Sequence, residues 1–70
     1  MEQVKVFYDR TGKTLTIWFG DPQDEHAAEE AGDEVILMKD RAGHVIGCEK
    51  LNFTPSTPEQ LRISFETVCL

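Results

Sequence analysis

Two short turns constrain this chain more than any other feature: Asp9-Arg10-Thr11-Gly12 and Asp40-Arg41-Ala42-Gly43, each flanked by runs in which apolar and polar residues alternate. Before the first turn Val4, Val6 and Tyr8 interleave with Lys5 and Phe7, and after it Leu15, Ile17 and Phe19 interleave with Thr14, Thr16 and Trp18. A period of two is the mark of a half-buried strand. Asp at the head of such a turn bonds nearby backbone N–H groups, and Gly12 and Gly43 are expected to supply the left-handed residue that a short hairpin connection needs. The second turn joins a strand at Val35–Lys39 to a return strand from Val45 to Phe53. Gly47 interrupts that return strand, which signals a bulge or a close backbone approach, and a bulge would switch the face occupied by Leu51 and Phe53. The turns resemble each other, but the flanks match only apolar on apolar, so turn chemistry accounts for the similarity without an internal repeat.

The expected fold class is therefore mainly β: one antiparallel sheet of four to five strands, built from two consecutive hairpins within a single domain, 1–70. Residues 24–34 can be read as a short helix, His26 to Ala31, stopped by Gly32, or as an irregular edge strand leading into Val35; the edge strand is preferred. The C-terminal segment is also two-sided. Thr57 as cap, Pro58 at the first position and Gln60 three residues after the cap carry helix-start chemistry. Against them Leu61, Ile63 and Phe65 alternate with Arg62, Ser64 and Glu66, and a strand is preferred because a helix would leave Ile63 exposed.

Charge decides which partners are excluded. The net charge is −6, and its excess lies in residues 21–34, where Asp21, Asp24, Glu25, Glu29, Glu30, Asp33 and Glu34 occur without a Lys or Arg. Phosphate backbones and anionic membranes are held by clustered bases, and here the bases are scattered, so neither nucleic acid nor a membrane is an expected partner. The longest apolar run, Val35-Ile36-Leu37-Met38, is far short of the ~20 residues of a membrane span. Met1-Glu2-Gln3 leads straight into strand pattern with no basic start and apolar stretch, which makes the cytosol the expected location. Cys48 and Cys69 form no metal-ligand ladder or redox pair and are expected as buried thiols.

Tyr8-Asp9, Leu15-Thr16-Ile17, Glu34-Val35-Ile36-Leu37 and the stretch from Asp40-Arg41-Ala42-Gly43 to Gly47-Cys48-Glu49-Lys50-Leu51-Asn52 resemble the family called domain of unknown function 2283 (DUF2283). The resemblance covers residues 4–52 and departs from the family pattern at Cys48 and in the tail from Pro55 to Leu70. It implies an antiparallel β fold, an extended acidic segment and no established activity. It carries one hint about partners, an antitoxin-like pairing with a small toxin-like protein, and supplies no catalytic residue.

Three functional readings can be drawn from the residues. Asp21, Asp24, Glu25, His26, Glu29 and Glu30 crowd oxygen ligands and one imidazole, as a divalent cation would require, but their spacing is not that of an EF-hand loop; a solubilising acidic edge is the simpler account. His44, Cys48 and Glu49 could be imagined as base, nucleophile and orienter, yet the pleat puts Glu49 on the opposite face from His44 and Cys48. No enzyme and no cofactor is expected. Phe7 and Trp18 lie on the face opposite Leu15, Ile17 and Phe19, so both sides of the sheet carry apolar groups and need a cover. A chain of 70 residues rarely draws more than about 3–5 kcal/mol from one core. The expected function is thus a non-catalytic protein-interaction module that self-associates as a homodimer, with Phe7 and Trp18 at the candidate interface.

Overall fold

A computed structural model describes residues 3–54 and 62–68. Five strands form one open antiparallel sheet: β1 Lys5–Asp9, β2 Thr14–Trp18, β3 Ala27–Gly32, β4 Val35–Lys39 and β5 Val45–Lys50, in the order β1-β2-β5-β4-β3. The fold class is as the alternation requires. The three strands from β3 to β5 follow one another as a meander, and β2 lies beside β5, so the first hairpin is joined to the rest as in a Greek key. The connection between the halves is a single 3₁₀ turn, Pro22–Asp24, capped by the Asp21 carboxylate, which accepts from the Gln23 N–H.

The two Asp-Arg-x-Gly turns differ, which corrects the expectation for Gly12. In the second turn Gly43 is left-handed at φ 87°, and Asp40 Oδ1 accepts from the amides of Ala42 and His44. In the first, Asp9 Oδ1 accepts from the amides of Thr11 and Gly12, but the left-handed residue is Lys13, at φ 57°. Asp9 pairs with Thr14 across that turn, leaving four loop residues, whereas Lys39 pairs with Val45 across the second. A change in loop length moves the position at which the chain must reverse hand. Gly12 serves instead by its lack of a Cβ, since one built there would stand 2.8 Å from Asp9 Oδ2.

The acidic segment is an edge strand, as preferred, but it forms a third hairpin with β4 that the sequence reading did not resolve. Gly32 pairs with Val35 around Asp33 and Glu34, both left-handed at φ 51° and 60°, as in a two-residue type I′ turn. Gly47 marks a close approach and also borders a register shift: Met38 pairs with Gly47 but Lys39 pairs with Val45, so Ile46 is the extra residue on β5, as in a bulge. Beyond β5 the chain turns at left-handed Asn52, φ 51°, and Phe53 meets Tyr8 edge to face with ring centroids 5.9 Å apart.

The expected C-terminal strand is not formed over residues 62–68, which have neither strand nor helix; residues 55–61, 69 and 70, with the helix cap at Thr57, lie outside the described residues. The physical reason is topological. β5 sits between β2 and β4, so the segment that follows it finds no free edge beside its predecessor and would have to cross to the outer edge of β1 or β3 to form a ladder.

Candidate interaction surface

Cross-strand partners share a face of the sheet, so the register fixes what each side presents. One side carries Val6, Tyr8, Leu15, Ile17, Val35, Leu37 and Cys48, with Lys50 between Leu15 and Val35 and Glu29 beside Leu37. The other carries Phe7, Thr16, Trp18, Ile36, Met38, Gly47 and Glu49. Neither side is closed. Met38, 5% exposed, is the one buried hydrophobic residue among those described, and the apolar residues of the first side are all only half-buried. Val4 and Phe19, expected to extend that side's core, lie outside the strands and are 51% and 49% exposed.

The candidate interface residues are placed on one face but in different settings. Phe7 is on the edge strand and 55% exposed. Trp18 is half-buried and lies across Gly47, whose missing Cβ leaves room for the indole. Met38 is the register partner of Gly47 on its other side, so Trp18, Gly47 and Met38 form one row across three strands. Glu49 is on this face too and accepts from Thr16 Oγ1 at 3.2 Å.

The proposed base, nucleophile and orienter do not converge. Cys48 is a free, half-buried thiol on the opposite face from Glu49, and exposed His44 sits in the turn with Nδ1 3.4 Å from Asp40 Oδ2. The Asp40 carboxyl is held below its ordinary range, first by the hydrogen bond from the His44 backbone N–H and further by the imidazole and the Ala42 amide, against some desolvation. Cys69 lies outside the described residues.

The acids of the 21–34 segment have separate engagements. Lys39 Nζ donates to Glu29 Oε2 at 2.7 Å, and that bond, with the lysine's charge, lowers the Glu29 pKa. Asp21 caps the 3₁₀ turn, Asn52 Nδ2 donates to Glu34 Oε1 at 2.9 Å, and Lys50 Nζ donates to the Asp33 carbonyl at 2.8 Å. Glu30, adjacent to Glu29 in β3, points to the other face. Asp24, Glu25 and His26 do line a common cavity of about 390 Å³, but Arg41 lines it as well, and its fixed positive charge opposes a cation there. Among the described residues no three His, Cys, Asp or Glu side chains come together to hold a metal ion. Nor is any helix among them long and apolar enough to cross a membrane.

A five-stranded antiparallel sheet with an acidic edge and an Asp-x-x-Gly hairpin at its centre is the setting in which the family assignment falls. The chain matches the family described as Protein of unknown function (DUF2283) over residues 5–53, from the first residue of β1 to the ring that packs on Tyr8. It belongs to that family. No curated protein and no solved structure matches it.

Proposed function

We propose that the chain is a non-catalytic protein-interaction module that works as an assembly of its own copies, the apolar side of one sheet lying on that of a second. The observation that supports this reading is that Val6, Tyr8, Leu15, Ile17, Val35, Leu37 and Cys48 gather on one sheet side, with Lys50 and Glu29 among them, and none is buried, whereas the single buried hydrophobe among the described residues, Met38, is on the other side. A sheet that is apolar on one side becomes stable by packing that side on another layer, and two sheets face to face at ~10 Å make the usual two-layer domain. Residues 62–68 of the same chain are all exposed; Phe65 reaches the pocket of Val4 and Phe19 at the end of this side but is itself 83% exposed. A second copy offers the same surface in self-complementary form.

Light scattering across a concentration series tests the reading, with Ile17→Glu as the variant. Ile17 is central to the half-open side, and a charge there has to be desolvated on association. An assembly that halves its mass in the variant, with the fold retained by circular dichroism, supports it. A wild-type chain that stays monomeric at every concentration overturns it, and capture of a small toxin-like protein by that monomer favours the antitoxin-like alternative.

A further inference from the structure

Among the described residues the sheet has two open edges, and they are not alike. β3 ends in a register irregularity between Glu30 and Gly32, and every one of its residues is exposed. Pairing β3 antiparallel with a second β3 about Glu29 or about Glu30 would set that glutamate against its own copy in the partner, like charge on like. Acids and irregularity are how natural edges are kept from pairing. β1 has neither protection. Its five residues, Lys5-Val6-Phe7-Tyr8-Asp9, pair with β2 in unbroken register, contain no Gly or Pro, and leave one backbone edge without a neighbouring strand among the described residues.

We propose that β1 is a second self-association surface, at which two copies join edge to edge, antiparallel about Phe7, into one continuous sheet. The sequence of β1 is complementary to itself in that orientation. Lys5 comes opposite the partner's Asp9, Val6 opposite the partner's Tyr8, and Phe7 opposite the partner's Phe7, with the same pairs repeated by the two-fold axis. Opposite charges, a β-branched residue against an aromatic ring, and two aromatic rings are the cross-strand pairs that stabilise antiparallel sheets. Lys5, Phe7 and Asp9 are exposed, so none has to leave a buried position to make these contacts. A slip of one residue would break the symmetry of the charges and turn Val6 and Tyr8 to the wrong face. The acidic 21–34 segment leads into and includes β3, at the far end of the sheet from β1, so the net charge of −6 does not concentrate at this contact. This edge contact is separate from the face contact proposed above: it is made by the outer backbone edge of β1 and shares only Val6 and Tyr8 with the apolar side.

The position of Phe7 on the two-fold axis gives a specific test. Phe7→Glu and Phe7→Lys each set two like charges directly opposite one another, and each variant alone is expected to show half the wild-type mass by light scattering. Mixed in equal amounts they are expected to regain the wild-type mass, with native mass spectrometry finding the mixed species. Lys5→Glu, at an exposed side chain, sets Glu against Asp at both ends and is expected to weaken association about tenfold. Variants that keep the wild-type mass overturn the edge contact while leaving the face contact standing. So does loss of mass in both Phe7 variants without recovery on mixing. Unchanged mass together with slow exchange of the outward β1 amides would assign that edge to residues 62–68 of the same chain. A monomeric wild type overturns both contacts.

Discussion

The indole of Trp18 lies on the backbone of Gly47, so close that a Cβ built on Gly47 would stand 2.7 Å from Cε3 and 2.9 Å from the Ile17 carbonyl oxygen. An aromatic ring over a strand glycine covers backbone that would otherwise be open and restores the contact the missing side chain cannot make. Because one of the two clashes is with backbone, a side chain at 47 cannot be accommodated by a rotamer change alone. Gly47→Ala is expected to destabilise by about 1–3 kcal/mol, the usual cost of overpacking, read as a lower urea midpoint.

The glycines at the two turns separate a conformational requirement from a contact. Gly43 is left-handed with nothing within 4 Å of an added Cβ, so Gly43→Ala is penalised through the backbone alone, by about 1 kcal/mol. Gly12 lacks that conformation, and Gly12→Ala displaces the Asp9 carboxylate. The discriminating variant is Lys13→Gly. It relieves the left-handed lysine and is expected to raise stability by about 0.5 kcal/mol, whereas a left-handed Gly12 would make the same change destabilising.

Asp33 and Glu34 are both left-handed in the hairpin between β3 and β4. A type I′ turn favours Asn-Gly at these positions, because Asn tolerates and Gly freely adopts positive φ. Replacing the pair by Asn-Gly is expected to stabilise by about 0.5–1 kcal/mol, net of the exposed bond from Asn52 to Glu34. Thermal melts of the double variant against wild type measure it, and a lower melting temperature would argue against the turn.

The strands with strict alternation were legible because period two needs no tertiary information: Val6 and Tyr8, Leu15 and Ile17, and Val35 and Leu37 all reach the same side of the sheet. The opposite placement of Phe7 and Trp18 follows from the same pleat. β3 was harder. Ala27-Ala28-Glu29-Glu30-Ala31 has the composition of a helix, and it is extended because β4 supplies a ladder, a partner no local pattern announces. The pairing of β2 with β5 is non-local in the same way, and it is what denies the alternating tail a neighbour beside β5. Lys13 was missed in favour of Gly12 because the loop length that selects the left-handed position depends on where the strands stop pairing.

The charge of Asp40 ties the central hairpin to pH. Its carboxylate accepts from the amides of Ala42 and His44 in the folded chain, and its folded pKa is lowered, first by the His44 amide. A group depressed on folding stabilises the native state above its unfolded pKa of about 3.9, and that contribution is lost as pH falls through the lower folded value. Glu29, lowered by Lys39, acts in the same direction from the sheet edge. Stability is therefore expected to be level on the alkaline side of that window and to fall on acidification below about pH 4. Asp40→Asn retains an oxygen for the two amides but has no charge to lose. It is expected to start less stable at neutral pH and to show a shallower acid limb in urea midpoints measured from pH 6 to 2, about the range in which carboxylates titrate. An acid limb as steep as that of wild type would place the titration outside the turn and overturn this assignment.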